Sequence, residues 1–301
     1  MTTIHLALVD DWELSGNGSG DVRQLQFEPL RRLVRIYDRL GIHGSFNAEV
    51  MQQITFRQHQ DQHQKLKALA DEWDEVVKET YRQGHDVQLH VHPQWQNAEY
   101  SDGRWKLTSD WSILNYSREA ALEMLQYGKD YLENLLRQVD PHCRCVSFRS
   151  GAWCIAPSPH LLDLLVQLGI VFDMSIVAGV KYDTRNIKLD YTSCEEGFLP
   201  YYPVMTDARK ISDKIEPIDC VPTNCFYASR RQVFRHHLDR SSATDLNRLE
   251  ASPRSINIFV KTSGVHHAEE KASFPGPSAL GLNEEETTAA MSKDTVQLRS
   301  L

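Results

Sequence analysis

The sequence predicts a single α/β domain built on a parallel, barrel-like sheet. Short apolar or alternating strand segments take turns with amphipathic helices over residues 4–180, which requires crossover connections and hence parallel pairing. Acidic, imidazole and guanidinium side chains fall at the carboxyl ends of those strands, where α/β folds place their chemistry. A length of 301 residues, 41% hydrophobic and 25% charged, is enough for one large core. The formal charge of −8 argues against a nucleic-acid backbone as the main partner. No apolar run approaches the roughly 18 residues of a membrane span. No basic-then-apolar leader is visible, so the expected location is the cytoplasm. The six cysteines, including Cys143/Cys145 and Cys220/Cys225, do not repeat as zinc-finger pairs, and reduced, mostly buried thiols are expected.

The first strand is the run Ile4-His5-Leu6-Ala7-Leu8-Val9, which ends abruptly in Asp10-Asp11-Trp12-Glu13. A continuous apolar run fits a strand covered on both faces. The acidic end supplies a candidate carboxylate; an acidic loop facing solvent is the alternative. Gly16-Asn17-Gly18-Ser19-Gly20 lacks the Lys-Ser/Thr of a phosphate loop and the spacing of a dinucleotide site, and reads as a flexible turn. Over residues 27–40, Leu30, Leu33, Val34 and Tyr37 recur at helical spacing, with Gly41 as the stop and a strand over 42–47. The Gln- and His-rich stretch 52–64 reads as a polar excursion with His59 and His63 solvated. A helix over 66–83 carries Leu66, Leu69, Trp73, Val76, Val77 and Tyr81, capped by Gly84. Residues 97–115 read as a loop, and Trp95, Trp105 and Trp111 either stack on a sugar or cover the barrel mouth. Ser117 caps a third long helix. Later strands are expected at 145–148, 170–172, 201–204, 215–218 and 255–261, with a helix at 159–168. The domain is expected to occupy 1–267, followed over 268–301 by a polar tail with a weak helix from about Asn283.

Residues 84–95 stand apart. Val87, Leu89 and Val91 alternate with Gln88, His90 and His92, the pattern of a half-buried strand with two imidazoles on one face. Residues two apart on a strand are about 6–7 Å apart along the backbone, so both rings can reach one ion about 2 Å from each nitrogen. Pro93 ends the strand because it cannot donate to a ladder. A merely polar strand face is the competing reading. Carboxylates ending the first strand and Arg149 ending a later one, all at the same rim of the inferred barrel, favour the metal site.

Taken in order, Asp10-Asp11, the strand from Gly84 to Pro93, and Phe148-Arg149-Ser150-Gly151-Ala152-Trp153 resemble motifs of the polysaccharide deacetylases, the NodB-homology or carbohydrate esterase family 4 fold. Ile42-His43-Gly44-Ser45-Phe46 is similar to that family's second strand. The resemblance covers residues 4–180. It implies a distorted (β/α) barrel of about seven parallel strands with one divalent metal, zinc first and cobalt, nickel, manganese or iron as alternatives. It implies Asp10 as catalytic base, Asp11 and His90 as metal ligands, Arg149 as the partner of the base, and Trp153 in the substrate groove. Trp12 and Trp95 are further candidates for substrate contact. The family's usual second histidine lies four residues after the first, where this chain has Gln94, so that role passes to His92 on the strand alternation. Asp11-Trp12-Glu13 also resembles a D-x-E variant of the first motif, which would shift base and ligand to Asp11 and Glu13. The family's late general-acid histidine has no clean match; His267, with His266 beside it, is the candidate.

The chemistry asks for these residue types independently of any family. Amide hydrolysis needs a nucleophilic water, a place for oxyanion charge and a proton for the departing amine. A metal with three protein ligands lowers the pKa of a water towards about 7 and polarises the acyl oxygen. A carboxylate takes the water's proton, and an arginine keeps that carboxylate ionised and oriented. The expected function is therefore metal-dependent removal of an N-acetyl or similar acyl group from an amino sugar or glycan precursor, with an activated or small acetamido sugar favoured over a wall polymer. The alternative is a catalytically silent domain of the same fold that binds a glycan or a partner protein. A cupin reading of His90-Val91-His92 fails, because Gln96 and Asn97 stand where its glutamate should and helices flank the strand.

Overall fold

A computed structural model describes residues 6–14, 16–194, 200–223 and 256–259. Its sheet contains β1 (Leu6–Trp12), β2 (Ser45–Glu49), β3 (Asp86–Val91), β4 (Ser147–Ser150), β5 (Phe172–Asp173), β6 (Asp219–Cys220) and β7 (Ile256–Phe259). The order across the sheet is β6-β5-β4-β3-β2-β1-β7, and each pairing is parallel. Among the described residues β6 and β7 are the two ends of this sheet, and the order is the cyclic order of a seven-stranded barrel. The helices are α1 (Glu28–Leu40), α2 (Val50–His59), α3 (Gln64–Arg82), α4 (Arg118–Leu136) and α5 (Leu161–Gln167). They supply the crossovers: α1 between β1 and β2, α2 and α3 before β3, α4 before β4, and α5 before β5. Among the described residues, no helix is long and apolar enough to cross a membrane.

Local chemistry explains the helix ends. Gly41 closes α1 in the left-handed region at φ 66°, where a Cβ would be strained, and its N–H bonds the carbonyls of Asp38 and Tyr37. The Ser117 hydroxyl caps α4 by accepting from Ala120 N at 3.2 Å. Phe46, Val87, Leu89, Val91 and Phe148 on the strands, Leu30, Leu33 and Tyr37 on α1, Trp73 on α3 and Leu125 and Leu132 on α4 belong to one buried apolar cluster. Each fully buried aliphatic or aromatic side chain there contributes roughly 1.5–3 kcal/mol.

Several elements differ from the sequence expectation. Residues 52–64 are not a polar excursion, since α2 buries Gln52 and Gln53 completely. The amino groups of both amides find partners far away in sequence. Gln52 Nε2 donates to Gln26 Oε1, and Gln53 Nε2 donates to the Ala70 carbonyl, Asp74 and Tyr131. The strand expected at 215–218 is displaced to β6, because Pro217 has no N–H for a ladder whereas Asp219 and Cys220 donate to Val171 and Tyr201. Pro203–Val204 pairs antiparallel with Asp207–Ile211 as a separate ribbon, and the loop 97–115 contains another, Glu99–Ser101 with Arg104–Lys106. β3 is buried on both faces from Val87 onward, not half-buried, because its polar face lines the barrel interior. Cys143, Cys145, Cys154, Cys194 and Cys220 are free and buried. Cys225, His266, His267, the domain boundary at 267 and the tail lie outside the described residues.

At the opposite, amino-terminal end of β3, His85 packs edge-on to His43 and Phe46. Its Nδ1 accepts from Gly44 N at 3.0 Å, and Nε2, which then carries the proton, lies 3.2 Å from Asp38 Oδ1. Burial lowers its pKa from the ordinary 6.5, with Asp38 opposing and His43 assisting. The unfolded chain then takes up a proton near pH 6.5 that the folded chain refuses, so stability falls as pH drops through this range. Denaturant melts at pH 5 and 7 should show a larger acid loss for the native protein than for His85→Asn, which keeps the acceptor facing Gly44; equal losses would contradict this.

Candidate metal centre

The period of two along β1 decides which carboxylates reach the barrel interior. Trp12 turns outward: it is 1% exposed, its Nε1–H donates to the Gln26 carbonyl at 2.8 Å, and its ring packs on Phe27 and Trp73. Asp10 shares that face. It is buried, and its charge, together with burial as the larger cause, raises the pKa of the Tyr37 hydroxyl on α1. Neither residue is brought to the histidines, although Asp10 was expected as base and Trp12 as a substrate contact. Asp11 and Glu13 point the other way, into the barrel.

There Glu13, His90 and His92 converge, all buried, with ligand atoms within 4.8 Å of one another. Glu13 Oε2 lies 3.3 Å from His90 Nε2 and also contacts His92 Nε2. His90 Nδ1 sits 2.8 Å from the Arg149 carbonyl, a pure acceptor, so Nδ1 carries the proton and Nε2 points its lone pair at the carboxylate. Two electron-rich atoms facing each other in a buried site call for a cation or a second proton between them. Burial opposes charge on His90, but Asp11, Glu13 and the Arg149 carbonyl outweigh it and raise the pKa. One carboxylate and two imidazoles, one of them already held in the ligating tautomer by a backbone acceptor, fit a zinc-like divalent ion. Among the described residues this is the group of three so placed.

Parallel register sets the surroundings in rows. Glu49, His90 and Arg149 are register partners across β2, β3 and β4, and Asp11, Asn47 and Gln88 form the row across β1, β2 and β3. Asp11 Oδ1 lies 3.2 Å from Arg149 Nη1 and accepts from Asn47 Nδ2 at 3.1 Å. Arg149 Nη2 donates to Thr223 Oγ1 at 2.8 Å, beyond the end of β6. Asp173 at the end of β5 has its pKa pushed up to about 6 by burial, against hydrogen bonds from Ser175 and Cys220 and the charge of Arg149. Glu49 accepts from Met51 N and Gln52 N, capping α2, and from His92 N at 3.0 Å. Its pKa rises to about 7, burial outweighing His92 and these N–H groups. Gly151 completes the packing, since a Cβ there would come within 2.7 Å of the Val91 carbonyl and 3.0 Å of His92 Cγ.

Asn47, Glu49 and Thr223 were not singled out from the sequence. Asn47 and Glu49 carried the same signal as the histidines, two polar residues two apart at the end of a strand. The remaining tryptophans divide. Trp95 is 3% exposed and packed edge-on against Phe56 and Trp105, part of the wall. Trp153 is partly buried just past β4, its ring 6.2 Å from that of Tyr182. Ala152 and Trp153 take positive φ values of 52° and 60°, a costly backbone for residues with a Cβ, and the Tyr191 hydroxyl holds the turn by donating to the Trp153 carbonyl.

No family model matches the sequence, and no curated protein matches it. Solved structures do match in fold. A polysaccharide deacetylase from Mycobacterium smegmatis aligns over 99% of this chain and 86% of its own, with TM-score 0.52 and 12% identity. This chain has the polysaccharide deacetylase fold. A 4-alpha-glucanotransferase from Thermococcus litoralis aligns over 100% of this chain at TM-score 0.55 and 12% identity, and the chain spans 39% of that enzyme's length. The NodB-type barrel thus accounts for the strand order and for the gathering of Glu13, His90 and His92 at the carboxyl ends of β1 and β3.

Proposed function

We propose that the protein is a metal-dependent N-deacetylase acting on an amino sugar or glycan precursor. The observation that carries this reading is the buried Glu13-His90-His92 group with Asp11 and Arg149 beside it. Glu13, His90 and His92 would hold one divalent cation, zinc first, which when bound supplies Lewis acidity towards an acyl oxygen and a water. Asp11 is the group placed to take the proton from that water. Arg149 and Asn47 both engage Oδ1 of Asp11 and so fix the orientation of its carboxylate. Thr223 in turn fixes the guanidinium, so that the base is held from two sides. Trp153 and Tyr182, both partly buried, offer an apolar surface against which a pyranose ring can pack. This assignment uses Asp11 and Glu13 as base and ligand in place of Asp10 and Asp11, because adjacent strand residues face opposite ways and Asp10 faces α1.

Acetate release from a panel of N-acetylated amino sugars, free and nucleotide-linked, tests the reading. Release is expected with at least one member, abolished by a chelator and restored by Zn²⁺. Release insensitive to chelator would contradict the mechanism, and a zinc-loaded protein inert to the panel would favour the silent, glycan-binding alternative.

A further inference from the structure

We propose that Tyr191 is the positioning residue of the aromatic wall of the site: its hydroxyl fixes the turn that carries Trp153, its backbone fixes the ribbon that carries Tyr182, and a pyranose ring meets the two as one surface. The inference rests on the amino-sugar reading above and concerns a residue that touches neither the sugar nor the ion.

Tyr191 is completely buried, just past the ribbon in which Lys181–Asp183 pairs antiparallel with Lys188–Asp190. Its main chain closes that ribbon. Tyr191 N donates to the Val180 carbonyl at 2.8 Å, and the Tyr191 carbonyl accepts from Gly179 N at 2.9 Å and Cys194 N at 3.1 Å. Tyr182 stands within the ribbon so closed, opposite Leu189 in the register. The side chain reaches the other way. Its hydroxyl donates to the Trp153 carbonyl and accepts from Ile155 N at 3.2 Å, so the turn after β4 engages the one oxygen as donor and as acceptor. Burial raises the pKa of the phenol, against the Ile155 N–H, so the proton it donates stays in place.

That turn needs holding. Ala152 at φ 52° and Trp153 at φ 60° are consecutive left-handed residues, each with a Cβ, and such a backbone persists only where its surroundings over-determine it. Relaxation of either residue towards an ordinary helical or extended φ swings the indole out of its place, 6.2 Å from the Tyr182 ring and inclined to it by 29°. A gap of about 0.5–1 Å already forfeits a quarter to a half of a dispersion contact, so a pyranose gains from both rings only while their spacing is fixed. One residue holds the supports of both. On its other side the turn abuts the metal centre, where Ser150 Oγ donates to the Cys154 carbonyl at 2.7 Å and Gly151 lies against His92. Two routes of influence are therefore open to Tyr191, through the aromatic wall or through His92, and they differ in what they change.

Tyr191→Phe removes the oxygen and keeps the ring. On the zinc-loaded protein, KM for N-acetylglucosamine, free and nucleotide-linked, is expected to rise about 10-fold with kcat within about two-fold, the split of an interaction made equally in ground and transition states. Ala152→Gly removes the Cβ that opposes the left-handed turn. It is expected to leave the native KM unchanged and to restore most of the loss when added to Tyr191→Phe, a non-additivity that a merely weakened core does not produce. Zn²⁺ affinity, read by competition with a chromophoric chelator, should be the same in the native, single-variant and double-variant proteins. In the native protein itself, the Tyr191 hydroxyl proton should give a resonance protected from exchange, with a cross-peak to the Ile155 N–H, a readout that needs no variant to fold. An unchanged KM in Tyr191→Phe, a fall in kcat at constant KM, additive effects of the two substitutions, weakened Zn²⁺ binding in Tyr191→Phe, or a freely exchanging hydroxyl would each overturn the proposal. A zinc-loaded native protein inert towards these sugars would instead remove the amino-sugar reading itself and the proposal with it.

Discussion

His90→Ala is expected to leave the purified protein without a bound divalent ion and to lower kcat/KM for deacylation by about 10³-fold or more, the equivalent of several kcal/mol of lost charge stabilisation. The size follows from the donor count. Glu13, His90 and His92 are the described residues whose ligand atoms lie within 4.8 Å of one another, and two of them make a poor cage for an ion that favours four-coordination. The variant also deprives the Arg149 carbonyl of its imidazole N–H and leaves Glu13 with one partner fewer in a buried setting, so a lower melting temperature should accompany the loss. Metal content by elemental analysis is the deciding measurement. A stoichiometric ion retained in His90→Ala would refute the site, whatever the activity.

Asp11→Asn is expected to behave in the opposite way, keeping the ion while lowering deacylation by about 10²–10⁴-fold, the usual span for a lost general base. The asparagine carbonyl can still accept from Asn47, so the geometry should survive while the proton acceptor is lost. Asp10→Asn provides the contrast. Asp10 lies on the α1 side of the sheet with Tyr37, so its replacement should leave kcat within a few-fold of native. Loss of the metal from Asp11→Asn would make Asp11 a ligand, and a large kcat loss from Asp10→Asn would restore the adjacent-aspartate assignment.

Much of this arrangement was legible because strand chemistry is local. The alternation from Val87 to His92 placed both imidazoles on one face, and Arg149 at a strand end pointed to the same rim. The ambiguity between Asp10/Asp11 and Asp11/Glu13 arose because an unbroken apolar run before Asp10 does not declare which face is interior. The period-of-two rule that paired His90 with His92 also pairs Asp11 with Glu13, and it carries more weight there than adjacency. What was illegible depended on distant partners. Gln52 and Gln53 lie in a stretch that reads as a polar excursion, yet Gln26, Asp74 and Tyr131 receive their amino groups inside the molecule. Thr223 could not be linked to Arg149 from spacing, because 74 residues separate them.

The carboxylate of Glu49 joins two things that are usually independent. The oxygens that start α2 through Met51 N and Gln52 N also hold the backbone N–H of His92. Any opening of the first turn of α2 therefore loosens the backbone of His92, and an ion held by the proposed site would resist that opening by mass action. On the proposed metal reading, cation affinity and the local folding equilibrium of α2 would be two readings of one thermodynamic cycle, with competent sites diluted by the fraction of molecules in which that turn is frayed.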